Sequence, residues 1–167
     1  MQSVAASDPA HFREVLSHFA SGVVVVTAVV DGTPVGMTCQ SFTSLSLDPP
    51  LVLFCPARTS TSWPVVQRAD WFCLNVLSSE QHGLSNGFAK SGSDKFAGVS
   101  WTPTPHGAPA LDGAAAHVEV RLAHVFDGGD HHIVTCHVES LQSAADSEPL
   151  LYYRSGYRSL QSLSQLV

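Results

Sequence analysis

The sequence predicts a mainly β protein, one β-barrel carrying a few short helices. Strand-like segments recur along the whole chain, each bounded by turn formers. Helical spacing is confined to short stretches, so strands do not alternate with helices as in a βαβ fold. No GxGxxG follows the first strand, so the Rossmann dinucleotide signature is missing. At 167 residues the chain reads as a single domain, 1–167, long enough to bury its own core.

The elements follow in order. Asp8 is placed to cap a first helix and Pro9 suits its first turn. Phe12, Val15, Leu16 and Phe19 then recur at helical spacing before Gly22. The β-branched run VVVVTAVV (23–30) meets the turn dipeptide Asp31-Gly32, which predicts a hairpin into Val35 and beyond. Further strands are predicted at LVLFC (51–55), WFCLNVL (71–77), HVEVRL (117–122), HIVTCHVESL (132–141) and LLYY (150–153). Two short helices interrupt them, from Trp63 to Ala69 and from Glu80 to Ala89. SGSD and TPTPHGAP read as turns.

Composition narrows the function. Charged residues make up 13% and the formal net charge is −6, with the 8 Lys and Arg unclustered. That excludes a general nucleic-acid binder, which needs a basic patch to displace counterions. The N-terminal stretch lacks the basic start and apolar run of a signal peptide, and no apolar run approaches membrane-span length, so a cytoplasmic protein without a membrane anchor is expected. Cys39, Cys55, Cys73 and Cys136 show no CxxC spacing and lie in apolar runs, which reads as free thiols in a reducing compartment.

GGDHHIVTCHVESL (128–141) concentrates Asp130, His131, His132, Cys136 and His137. On a regular strand, adjacent His131 and His132 point to opposite faces, and His131 lies about 20 Å from His137. No metal site is expected, since ligands must lie about 2 Å from one ion and no HExxH or paired-cysteine element completes the set. No GxSxG elbow supports a serine triad. His132 and His137 read as polar residues of an ordinary strand. His131 differs, because Gly128-Gly129-Asp130 is a tight turn that delivers one imidazole to a strand start.

A second stretch, PVGMTCQSFTSLSLDPPLVLF (34–54), sets small and hydroxyl residues between two apolar runs. Gly36 would let a flat ligand approach the backbone closely. By composition alone, a Ser/Thr-rich connecting segment explains it equally well. STSW (60–63) sets hydroxyls at a helix start, which serves as an N-cap or as a phosphate site.

These segments together resemble the flavin reductase-like family, the small NAD(P)H:flavin oxidoreductases of two-component monooxygenases. The likeness runs from about residue 12 to residue 160. Its elements stand in family order: SGVVVVT, the 34–54 stretch, STSW, FCLNVL, FAKSGSDKFAGVSW, GAPALDGAAAHVEV, GGDHHIV and PLLYYRSGYRSL. The resemblance implies a split β-barrel of Greek-key-like connectivity that binds FMN or FAD, forms a homodimer and hands reduced flavin to a separate oxygenase component. Matched to the family's flavin-binding segments are Val35, Gly36, Met37, Thr38, Gln40, Ser41 and Phe42. Cys55, Pro56, Ser60, Thr61, Ser62, Trp63 and Phe88 match the rest of that pocket. His131 matches the catalytic histidine of the Gly-Asp-His turn, which implies contact with NADH (or NADPH), and Tyr152 and Tyr157 match the aromatic segment beside it. Three positions depart from the pattern: Gly87 replaces a frequent arginine, Cys136 a frequent glycine and Val120 a frequent cysteine. The absence of an arginine cluster for a 2′-phosphate favours NADH. Two other functions share this barrel, a non-catalytic flavin- or haem-binding carrier or sensor, and an FMN-dependent oxidase. The Gly-Asp-His turn favours the reductase, since a carrier needs no nicotinamide contact.

Overall fold

The computed structural model of the chain describes residues 7–92 and 94–160. Its largest sheet grows from the predicted hairpin. Strands β2 (Val24–Val30) and β3 (Thr33–Cys39) are joined by Asp31 and Gly32, both at positive φ (51° and 75°), the left-handed pair a two-residue turn needs. Before them lie helix α1 (Pro9–Leu16) and a two-residue strand β1 (Ser21–Gly22). After them come β4 (Thr43–Leu47), β5 (Pro50–Phe54), helix α2 (Trp63–Val66) and β6 (Trp71–Val76). A 3₁₀ turn at Ser79–Gln81 leads into α3 (His82–Ala89), followed by β7 (Trp101–Pro103) and β8 (Pro109–Leu111). The long β9 (Ala116–Gly128) and β10 (His131–Ser143), then β11 (Leu151–Tyr153) and β12 (Gly156–Arg158), complete the described chain.

Seven antiparallel strands pair in the order β3-β2-β6-β9-β10-β5-β4. Met37 and Cys39 of β3 share one buried cluster with Val52 and Phe54 of β5, although β2, β6, β9 and β10 stand between these two strands in the sheet. The sheet therefore curls round a single core without closing, because β3 and β4 remain unpaired edges. That is a split barrel. A second cluster, with Val23, Val25, Leu77, Phe88, Leu111 and Leu150, lies outside it. The small sheets β1-β11-β12 and β7-β8 complete the fold.

Several expectations are corrected. α1 ends at Leu16, so Phe19 lies beyond it. Asp8 does cap it, accepting from the Ala10 N–H at 2.9 Å, but no residue of the helix is buried. α2 is a single four-residue turn rather than a helix reaching Ala69. The Ser/Thr-rich segment forms an edge strand, β4, and the turn-rich region at 101–111 forms the β7–β8 hairpin. β10 starts at His131 and carries irregularities at Thr135/Cys136 and Val138/Ser140. Simple alternation therefore fails along it, and Val134, Thr135 and Cys136 are buried in succession. Among the described residues, no helix is long and apolar enough to cross a membrane.

Candidate functional site

Three cavities adjoin one another along one side of the barrel. The central cleft, about 440 Å³, is walled by the end of β3 and by the loop after β5. Met37, Thr38, Gln40 and Ser41 line it from the first, and Cys55, Pro56, Ser60, Thr61 and Ser62 from the second. Phe88 forms its floor, fixed edge-on to Phe96 with ring centres 5.0 Å apart. Ser41 staples the two walls: its Oγ accepts from the Cys55 N–H at 2.8 Å. Thr38 Oγ1 donates to the Ser85 carbonyl at 2.7 Å, tying β3 to α3.

At one junction of the cleft stands Lys95, which also lines a 510 Å³ cavity with Val35 and Gly36. Its ammonium donates to Ser62 Oγ (2.8 Å), the Phe88 carbonyl (2.8 Å) and the Gly36 carbonyl (3.2 Å). Burial lowers its pKa from the ordinary lysine value. The hydroxyls of Ser60 and Ser62 accept here, from the Trp63 N–H and from Lys95, which leaves the O–H of each able to donate to a ligand. A lysine beside two hydroxyl donors suits a phosphate. With α2 only four residues long, its dipole adds nothing to that argument.

At the other junction stand His131 and Gln40, shared with a 530 Å³ cavity that Tyr152 also lines. His131 Nδ1–H donates to Asp130 Oδ1 at 2.7 Å, which orients the ring and leaves Nε2 for a ligand. The same hydrogen bond holds the Asp130 carboxyl below its usual range. The turn beneath it adopts φ 78° at Gly129, a conformation glycine reaches without a Cβ penalty. Arg58, from the loop that walls the cleft, grips this turn. Its Nε donates to the Gly129 carbonyl (2.7 Å), its guanidinium meets Asp127 (2.8 Å), and its backbone N–H donates to the Asp130 carbonyl (2.9 Å). Arg58 thereby lowers the pKa of Asp127. The imidazole is held to the cleft by the protein's own contacts.

The structure separates the remaining candidates. Phe42 packs against the barrel core rather than the cleft. The Trp63 indole is buried between Phe54 and Phe72, and its Nε1 has no partner among the described residues. Tyr157 stands behind Tyr152, edge-on at 5.5 Å, and donates to Asn86 Oδ1 (2.8 Å). Lys95 and Arg58 escaped sequence reasoning. The one available signal was scarcity: with 8 Lys and Arg in the chain, each buried or clefted cation carries weight.

Covalent catalysis by Cys55, Cys73 or Cys136 is disfavoured. Burial pushes Cys73 and Cys136 up to about 12 and raises Cys55 in the cleft wall, so these thiols stay protonated at neutral pH.

A sequence model described as "Flavin reductase like domain" matches residues 16–161. The chain is 47% identical over 156 residues, 93% of its length and 80% of the relative's, to the flavin-dependent monooxygenase reductase subunit HsaB of Rhodococcus jostii (strain RHA1). Its fold matches nitrilotriacetate monooxygenase component B from Mycobacterium thermoresistibile with a TM-score of 0.89 at 44% identity, covering 93% of this chain and 88% of that one. It also matches the Streptomyces globisporus C-1027 NADH:FAD oxidoreductase SgcE6, solved in complex with NAD and FAD fragments, with a TM-score of 0.92 at 32% identity, covering 98% and 99%. With the family model spanning residues 16–161 and relatives this close over nearly the whole chain, the protein belongs to the flavin reductase-like family.

Proposed function

We propose that the protein oxidises NADH and reduces flavin, FMN or FAD, in the central cleft, and delivers the reduced flavin to a separate oxygenase component. The observation that carries this reading is the place of His131. One imidazole, fixed by Asp130, stands where a flat, partly apolar cleft opens into a second cavity. The residues present fit a flavin: Met37, Pro56 and Phe88 offer apolar surface, Ser60 and Ser62 offer hydroxyl donors for a phosphate, and Lys95 offers a positive charge beside them.

When bound, flavin supplies the redox chemistry by accepting hydride at N5 from C4 of the dihydronicotinamide. The protein's part is positioning, which can contribute about 7–11 kcal/mol of barrier reduction. The cleft walls, stapled through Ser41, would hold one face of a bound ring between β3 and the loop after β5. His131 Nε2 orients the nicotinamide, and no side chain needs to form a covalent bond to it. Air-saturated assays following NADH absorbance at catalytic FMN or FAD test the reading. His131→Ala is expected to lower kcat/KM for NADH about tenfold with flavin affinity intact. Absence of flavin-dependent NADH oxidation in the unaltered protein would overturn it.

Lys95→Met is expected to raise the flavin Kd about tenfold in a fluorescence-quenching titration, by removing the one ammonium at the cleft. An unchanged Kd would remove Lys95 from flavin binding. The same proposal includes a homodimer. Phe12, Val15, Leu16 and Phe19 expose an apolar face along and beyond α1, as do Leu45 and Leu47 on the edge strand β4. A sedimentation mass near twice 17.7 kDa is expected, and a monomer mass would contradict it. The four free thiols suit a reducing cytoplasm.

A further inference from the structure

The turn that carries His131 is joined to the loop that walls the flavin cleft by a continuation of the sheet. β5 pairs with β10 through Phe54 and Val134, and the same register runs on past the end of β5. The Pro56 carbonyl accepts from the His132 N–H (2.9 Å), Ala57 bridges His131, and the Arg58 N–H donates to the Asp130 carbonyl (2.9 Å). Ala57 and His131 are thus directly opposed, and both line the cleft. Ser60 and Ser62, from the same loop, line it too. The imidazole and the two hydroxyls therefore belong to one connected strip of backbone.

The ladder ends at Asp130, one residue short of the tip. Gly129 is the first central residue of the two-residue turn between Gly128 and His131, at φ 78°. Its polar groups are held by side chains instead. The Gly129 N–H donates to Asp127 Oδ1 (3.0 Å), and its carbonyl accepts from Arg58 Nε (2.7 Å). Arg58 Nη2 meets the same Asp127 oxygen at 2.8 Å, so one guanidinium and one carboxylate clamp both sides of Gly129. Arginine can do this because its nitrogens donate in a fixed planar fork, which the single ammonium of lysine lacks. The pair is exposed, Arg58 by 44% and Asp127 by 77%, and ion pairs in that setting contribute little to folding. Nor does Arg58 line the cleft or the cavity beyond His131. What its side chain fixes is the tip of the turn, next to the Asp130 carboxylate that orients the His131 ring.

We propose that Arg58 is a positioning residue for hydride transfer, clamping Gly129 so that Asp130 and His131 stay where the nicotinamide must be held. The inference rests on the reductase reading of the cleft. Misplacing reacting groups by about 1 Å can cost about a hundredfold in rate. A turn built on glycine has the backbone freedom for such shifts, and the clamp removes it.

The test uses Arg58→Met, which keeps an unbranched stem and removes the guanidinium. In the flavin-free protein, amide exchange followed by NMR is expected to quicken about tenfold at Gly129 and His132 and to stay unchanged at the buried Val134. With FMN and NADH, kcat/KM for NADH is expected to fall about fivefold, less than the tenfold expected for His131→Ala, with the FMN Kd and the thermal midpoint unchanged. Because Arg58 acts through His131, adding Arg58→Met to His131→Ala is expected to cost nothing further. A double variant about fiftyfold down, the product of the two losses, overturns the role. So does unchanged amide exchange, unchanged kcat/KM, or a loss that FMN affinity or the thermal midpoint shares. Those results leave the reductase reading intact. Absence of flavin-dependent NADH oxidation in the unaltered protein removes that reading and this role together.

Discussion

Glu119→Ala is expected to cost about 3 kcal/mol of folding stability, a fall of roughly 10 °C in the thermal midpoint. Glu119 lies on β9, 1% exposed, and lines neither the cleft nor the cavity beyond His131. Its carboxylate accepts from the His106 backbone N–H (2.9 Å), from His106 Nδ1–H (3.1 Å) and from Ser140 Oγ (3.2 Å). His106 in turn stacks on Trp71, centres 3.7 Å apart, so the acid fastens the segment between β7 and β8 to the sheet. Truncation strands these donors beside a small cavity of about 120 Å³. Burial by itself would raise the acid's pKa, but the hydrogen bonds from Thr104, His106 and Ser140 outweigh it and the net shift is downward. The sign follows. Glu119 binds its proton less readily folded than unfolded, so its stabilisation is complete above the ordinary value of 4.5 and is lost as pH falls through the lower folded value. Glu119→Gln keeps an acceptor without the charge. It should be less stable than the unaltered protein at pH 7, with the gap narrowing in acid. A gap that stays constant from about pH 3 to about pH 7, a window set about the ordinary glutamate value, would show that the charge contributes nothing.

The parts of the fold that were legible in sequence are those fixed by local chemistry. Asp31-Gly32 specifies the β2–β3 turn because two consecutive left-handed residues are needed there. Gly129 marks the turn that delivers His131 for the same kind of reason. β4 was illegible because an exposed edge strand needs no alternating apolar face, and its five residues are mostly exposed. The β7–β8 hairpin was hidden by its prolines and is held by long-range bonds instead: Leu111 N–H donates to Asn75 Oδ1 at 2.7 Å, across 36 residues. Lys95 illustrates the limit best. Its acceptors come from residues 36, 62 and 88, and no local pattern announces that meeting. Trp63 shows the converse. The segment that carries it does wall the cleft, yet its indole turns into the barrel between two phenylalanines. Resemblance locates a segment; packing decides where each side chain of it goes.

Gly36→Ala is expected to damage both stability and flavin binding, for a steric reason confined to one methyl group. A Cβ at this position would lie 2.8 Å from Phe88 Cε1 and 2.9 Å from the Val26 carbonyl oxygen. Neither neighbour yields cheaply. Val26 belongs to β2, the strand paired with β3, so moving its carbonyl disturbs the ladder beside Gly36. Phe88 is 1% exposed and held edge-on by Phe96, so moving its ring disturbs the floor of the cleft. The Gly36 carbonyl also accepts from Lys95, which carries the disturbance to the cation. Overpacking of this kind costs about 1–3 kcal/mol, and a displaced Phe88 and Lys95 should weaken flavin binding about tenfold or more in the same variant. Gly87→Ala supplies the control. Gly87 sits in α3, where an added methyl group would meet nothing within 4 Å, so alanine there should stabilise the helix by about 0.5–1 kcal/mol and leave flavin affinity alone. If Gly36→Ala binds flavin as tightly as Gly87→Ala does, the close approach of β3 to Phe88 is not what shapes the cleft.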